Sequence, residues 1–293
     1  MITYAWRTEL ADNELADVES LLEHAVEYDA EAGFSTATPT TADRGEVRHL
    51  LVSIAPPGER GSVALDRLPD VPVVAYLRLD VRGEIADVQL VVRPEFRSHG
   101  IATLLAELLD EQPTGWSSVE GVRRLRAWAH GAHPAAERMA RRFGARVDHA
   151  LFKTLRFIGG SRPFVGEDLK PAVEPDLDGP DETVEGHLAA MAPGERSVLA
   201  RARTRLVAPA GSVLVGVDEK DPAGHPACIA VDTAGVAADD LRALLATALL
   251  RVQADGARVA QMYVDALSEA FVGASRALGF QHDQSDLLYV RAL

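Results

Sequence analysis

The chain has 293 residues, more than a single domain of roughly 100–150 residues needs, and 47% hydrophobic against 25% charged residues supports well-formed cores. A net charge of −14 with only 5% aromatic residues argues against a phosphate-tracking nucleic-acid surface and favours a small-molecule substrate. The single cysteine, Cys228, excludes an internal disulfide framework. Arg7, Glu9 and Asp12 interrupt the opening residues before any signal peptide can form, and no apolar run is long enough to span a bilayer; a cytoplasmic protein without a membrane partner is expected.

In chain order, residues 2–10 read as a first strand, and Asp12 stands as an N-cap before a helix carrying Leu15, Val18, Leu22 and Ala25. Residues 33–44, rich in Thr, Ala and Pro, read as a loop. Residues 49–54 and 72–81 read as the next strands.

The stretch IADVQLVVRPEFRSHGIATLLAELL organises the first half. Val88, Leu90 and Val92 alternate with Asp87, Gln89 and Val91 as in a strand, Pro94 halts the run, and Leu104, Leu105, Leu108 and Leu109 recur at helical spacing. Between them lies Arg97-Ser98-His99-Gly100-Ile101-Ala102. Gly100 can take a positive φ and leaves its surface bare, so N–H groups at the helix start can close around an anion, aided by the helix dipole and by Arg97. This is the pattern of a diphosphate cradle. Residues 123–129 then give a strand, Pro134 opens a helix with Ala136, Met139, Ala140 and Phe143 on one face, Gly144 ends it, and residues 147–157 close the sheet.

Residues 159–186 turn to Gly, Pro, Asp and Glu and form the expected linker between a first domain, 1–158, and a second, 187–293. In the second domain, residues 187–206 are helical in pattern, 212–217 and 227–231 read as strands, and Leu241, Leu244, Leu245, Ala248 and Leu249 form a helix stripe. A strand at 259–264, a helix at 268–278 and a last strand at 287–290 follow. The same succession twice indicates an internal duplication. The second cradle reads Thr233-Ala234-Gly235-Val236-Ala237-Ala238 and then Asp239 and Asp240; without a cation and with two carboxylates it repels a diphosphate and is expected to be empty.

Strand, Arg-x-x-Gly-x-Ala and amphipathic helix in this order resemble the acetyl-coenzyme A motif of the Gcn5-related N-acetyltransferases (GNAT). The resemblance implies an α/β (α+β) fold of tandem GNAT-like acyl-CoA N-acyltransferase domains, each a mixed central sheet flanked by helices. It implies acetyl-CoA as acyl donor, no metal, and a small-molecule amine as acceptor. The cofactor-binding residues would be Leu90, Val91 and Val92 through their main chain, with Arg97, Ser98, His99, Gly100, Ile101, Ala102 and Thr103 around the diphosphate. Family members often carry a glutamate base where Gln89 stands. Gln cannot act as that base, so Asp87, on the same strand face, becomes the catalytic candidate; its other reading is a strand-edge carboxylate in water.

Where the family often has an asparagine beside the cofactor and a tyrosine that protonates the leaving thiolate, this chain has His133 and Ala140. His133 reads either as a cap or as a cofactor neighbour; His130 and His133 alone are weak evidence for a metal. VVRPEFRSHGIATLL followed by AWAHGAHPAAERMARRFGA resembles the amino-terminal half of the mycothiol synthases, tandem acetyltransferases that acetylate the cysteinyl amine of a cysteinyl-glucosaminyl-inositol precursor. That likeness implies the same activity here; a non-catalytic acyl-CoA sensor and a transferase for another small amine are the alternatives. MYVDALSEAFVGASRALGF resembles the closing motif of the catalytic domain, with Tyr263 as a substrate-binding candidate and Ser268 and Ser275 at its asparagine and later tyrosine positions. In that family the second domain performs the transfer, whereas here the intact cofactor motif lies in the first.

Overall fold

The computed structural model describes residues 2–31, 46–160, 163–166, 174–176, 204–208, 211–217, 226–231 and 236–293. The chain forms two compact units: Met1–Asp148 with Leu288–Leu293, and His149–Leu287.

In the first unit, β1 (Ile2–Arg7), β2 (Glu46–Ile54), β3 (Ala75–Arg82) and β4 (Ile85–Val92) are joined antiparallel in that order, and β5 (Arg124–Ala129) runs parallel to β4. The end of β12 (Gln281–Ala292) follows β5 in the order. Side chains on each strand alternate between two cores, as a period of two requires. Leu50, Val52, Leu77, Leu79 and Ala86 pack with Leu105 and Leu109 of helix α3 (Ile101–Glu111). Leu51 and Tyr76 face the other way, against Val18 and Leu21 of helix α1 (Asp12–Glu31). The connection from β2 to β3 holds the short helix α2 (Val63–Asp66) and is gathered by the buried Arg60, which donates to the carbonyls of Ala55, Leu65, Leu68 and Pro69.

The capping position of α1 is Ala11, whose C=O accepts the first helical bond from Leu15 N–H at 2.8 Å; Asp12, expected as the cap, is already inside the helix. Glu14 supplies the capping carboxylate, accepting from Ala11 N–H at 3.1 Å and from Arg7 Nε at 2.8 Å. Those contacts, the backbone bond first, lower its pKa.

Helix α4 (Pro134–Arg142) follows β5. Strand β6 (Arg146–Phe157), read from the sequence as closing the first sheet, has its register in the second unit, antiparallel to β11 (Val259–Asp265) from Leu151↔Asp265 to Phe157↔Val259.

There, β7 (Glu174–Asp176), β8 (Thr204–Ala208), β9 (Gly211–Val217) and β10 (Pro226–Val231) run antiparallel in turn, and β10 is parallel to β11. Helices α5 (Ala238–Ala254) and α6 (Glu269–Ala277) follow β10 and β11. Leu241, Leu244, Leu245, Leu249 and Phe271 meet Val213, Val215, Ile229, Ala260 and Met262 in one core. Both units share one run of elements: β3, β4, α3, β5 and α4 in the first correspond to β9, β10, α5, β11 and α6 in the second, two antiparallel strands, a helix, a parallel strand and another helix. Of the helix expected over residues 187–206, the part to 203 lies outside the described residues. Thr204–Ala208 is a strand instead, because its β-branched and alternating residues suit a pleated surface with Leu206 buried inward. Among the described residues no helix is long and apolar enough to cross a membrane.

Candidate functional site

The cradle is built where β4 ends. Arg93 N–H bonds Val74 C=O at 2.9 Å, and Pro94–Phe96 makes one 3-10 turn that drives Phe96 into the core with no exposed surface. The backbone then takes the left-handed region at Ser98 (φ 65) and Gly100 (φ 80), and α3 begins. No side chain caps α3, so the N–H groups of its first turn, Ile101, Ala102 and Thr103, have no partner from a cap or from the helix itself. A Cβ at position 100 meets nothing within 4 Å, so the space over this turn is open. An uncapped, positively polarised helix start under an open glycine suits an anion.

Beside it, β4 and β5 part. Their pairing runs from Ile85↔Arg124 to Asp87↔Arg126 and goes no further among the described residues. The β4 edge from Val88 onward therefore has no strand beside it on this side among the described residues, and the main-chain groups of alternate residues turn toward the split, while its other edge stays paired with β3 as far as Val92↔Ala75. Leu90 is exposed at this point. The first turn of α3 touches α4 across the split, where Thr103 Oγ1 donates to Met139 Sδ at 3.4 Å.

Arg97, expected to face an anion, has its guanidinium largely engaged: Nε donates to Val92 C=O at 3.0 Å, Nη1 and Nη2 grip the Asp29 carboxylate, and the group lies 5.2 Å from the Tyr28 ring centroid. His99 Nδ1 donates to Arg97 C=O at 2.7 Å. His133 is the N-cap of α4, with Nδ1 accepting from Ala135 N–H at 3.1 Å; of its two readings, the capping one is present in the geometry. Ala140, at the family's tyrosine position, is buried.

Asp87 is not a carboxylate in open water. Arg126 donates to both of its oxygens, at 2.7 and 2.9 Å, and Arg82 also donates to Oδ2. Its register neighbour on β3, Asp80, is held by the buried Arg78 at 2.8–3.1 Å and accepts from Gln89 Nε2 at 3.5 Å. On the same face Tyr76 meets His49 Nδ1 at 2.7 Å with the rings stacked, and burial pushes the Tyr76 phenol up to about 12. Lone pairs already committed to guanidinium N–H groups are poorly placed to take a proton from an amine.

No family model matches the chain. It is 29% identical to the mycothiol acetyltransferase of Streptomyces avermitilis, covering 96% of this chain and 92% of that one, and 26% identical to that of Renibacterium salmoninarum, covering 94% and 86%. A shorter match, 34% identical to the mycothiol acetyltransferase of Saccharomonospora viridis, takes in 49% of this chain and 42% of the relative. A tandem GNAT protein of the clavulanic acid pathway shares the fold over the whole chain, with TM-score 0.59, 18% identity and 98% of its own length covered. The chain shares the fold of the GCN5-related N-acetyltransferases (GNAT) and resembles the mycothiol acetyltransferases over most of its length.

The second unit carries the other candidates. Tyr263 is 5% exposed in β11, opposite Lys153. Ser268 caps α6 by accepting from Phe271 N–H at 3.3 Å, and the buried Ser275 donates to Val272 C=O at 3.0 Å, so both serines serve the helix they belong to. Residues 233–235 of the second cradle lie outside the described residues; Asp239 and Asp240 are exposed in the first turn of α5. Sequence reading missed Asp29, Arg82 and Arg126, the partners of Arg97 and Asp87. Arg126 could have been found from strand alternation on β5; nothing local marks Asp29.

Proposed function

We propose that this chain transfers the acetyl group of acetyl-CoA to the amine of a small thiol and amino-sugar conjugate of the cysteinyl-glucosaminyl-inositol kind, in the cytoplasm, using its first unit. The observation that carries the reading is the split between β4 and β5 beyond Asp87↔Arg126, beside an uncapped α3. Main-chain N–H groups from Ser98 to Thr103 would hold the diphosphate, and the main chain of Leu90, Val91 and Val92 would receive the pantetheine amides and polarise the acetyl carbonyl. The thioester supplies an activated acetyl group, so no metal is required. The acceptor class rests on relatives named mycothiol acetyltransferase at 26–29% identity.

Titrating acetyl-CoA calorimetrically, then following release of the free thiol of coenzyme A with the cysteinyl-glucosaminyl-inositol amine against a panel of other amines, tests both levels. Binding with selective thiol release for the conjugate is expected. Release with a different amine moves the acceptor class. A second reading, a protein that binds acyl-CoA without turnover, is favoured by the engaged Asp87 and the buried Ala140; binding with no thiol released for any amine would establish it.

A further inference from the structure

Ser98 is the one residue other than glycine at positive φ among the described residues, and it sits inside the cradle turn. A serine holds that backbone only where its surroundings over-determine it. The flanking residue does so. Arg97 is fixed through three N–H donors, to Val92 C=O on one side and to both oxygens of Asp29 on the other, with Tyr28 under its plane, and its own C=O accepts from His99 Nδ1. The pair is partly shielded, with side-chain exposures of 31% and 25%. Asp29 belongs to the last turns of α1, 68 residues from Arg97, and no cofactor motif includes it.

We propose that Asp29 is a positioning residue: through the guanidinium fork of Arg97 it holds the Ser98–Gly100 backbone in the form that presents its N–H groups to the diphosphate. Arg97 acts here by shape as well as charge. This rests on the cofactor site assigned above. It also makes a prediction opposite in sign to simple electrostatics, since deleting a carboxylate near an anion site should tighten binding if charge alone mattered.

Calorimetry with acetyl-CoA on the full chain separates the two. Asp29→Ala and Asp29→Asn are expected to weaken binding about tenfold, with the Michaelis constant for acetyl-CoA raised and kcat little changed. Arg97→Lys, which keeps the charge but loses the fork, should weaken binding as much. Ser98→Gly placed in the Asp29→Ala background should restore affinity to within about threefold, because glycine takes the left-handed region unaided. General unfolding would not be repaired by that second change. Tighter or unaltered binding in Asp29→Ala, full affinity in Arg97→Lys, or no rescue by Ser98→Gly overturns the proposal while leaving the cofactor site in place. Wild-type protein that binds no acetyl-CoA overturns both.

Discussion

Arg126 on β5 holds Asp87 on β4 through two parallel bonds, Nε to Oδ1 at 2.7 Å and Nη2 to Oδ2 at 2.9 Å, at the last paired position before the two strands separate. The ion pair thus marks the floor of the split in which the pantetheine arm is proposed to lie. Below it the strands share ladder bonds; above it they do not.

This placement makes Asp87 a clamp in the first instance. Asp87→Ala leaves Arg126 and Arg82 facing one another without their shared carboxylate, and stability should fall by roughly 1–3 kcal/mol in urea denaturation. Acetyl transfer measured on the folded variant should fall by less than about tenfold if the clamp is its only role, because β4 stays paired with β3 as far as Val92↔Ala75 and is held well within the ~1 Å displacement that costs about a hundredfold. A loss of two orders of magnitude at unaltered stability would instead give Asp87 the proton-transfer role.

Gly100 offers a cleaner dissection of strain from obstruction. Its φ of 80 disfavours any side chain, yet a Cβ there touches no protein atom within 4 Å. Gly121 shares both properties, at φ 79, away from the cradle. Each glycine changed to Val should lose about 1–2 kcal/mol of stability, and only Gly100→Val should abolish acetyl-CoA binding by calorimetry. Gly235→Val, in the second half, should leave that binding intact.

Phe96 anchors the approach to the cradle from below. It is completely buried in the core that includes Leu77 and Leu105, one residue before Arg97. Phe96→Ala should cost about 3–5 kcal/mol and weaken acetyl-CoA binding, whereas Phe96→Leu should recover most of both. Equal binding by the two variants would detach the cradle from this anchor.

Tyr76 sets an alkaline limit on the first unit. Its pKa rises on folding from 10 to about 12, chiefly through burial, so the native state keeps a proton that the unfolded chain gives up above pH 10. The contribution is complete below pH 10 and is lost as pH climbs toward 12, on the order of 2 kcal/mol. Urea midpoints between pH 9 and 11.5 should decline more steeply for wild type than for Tyr76→Phe. Parallel slopes would contradict the burial argument.

Local patterns that carry their own physical cause were legible without coordinates. Alternation placed β4 within its observed bounds, the leucine stripe placed α3, and Pro134 and Gly144 bracketed α4. The errors fell where a distant partner decides. Strand β6 reads the same whichever sheet it joins, and only its register with β11 tells which. Asp12 looks like a cap, but Glu14 reached Ala11 N–H and Arg7 together.

From the sequence by itself came the nature of the turn at Gly100: a residue without Cβ, between a strand and an amphipathic helix, has a conformational freedom that depends on its own chemistry. Tertiary structure alone decided what Arg97 and Asp87 do. Charged side chains this long reach many partners, and packing selects among them: Asp29 lies 68 residues from Arg97, and Arg126 lies 39 from Asp87. No local periodicity encodes such pairings, because they form only once helix and strands have been brought together by the burial of apolar faces.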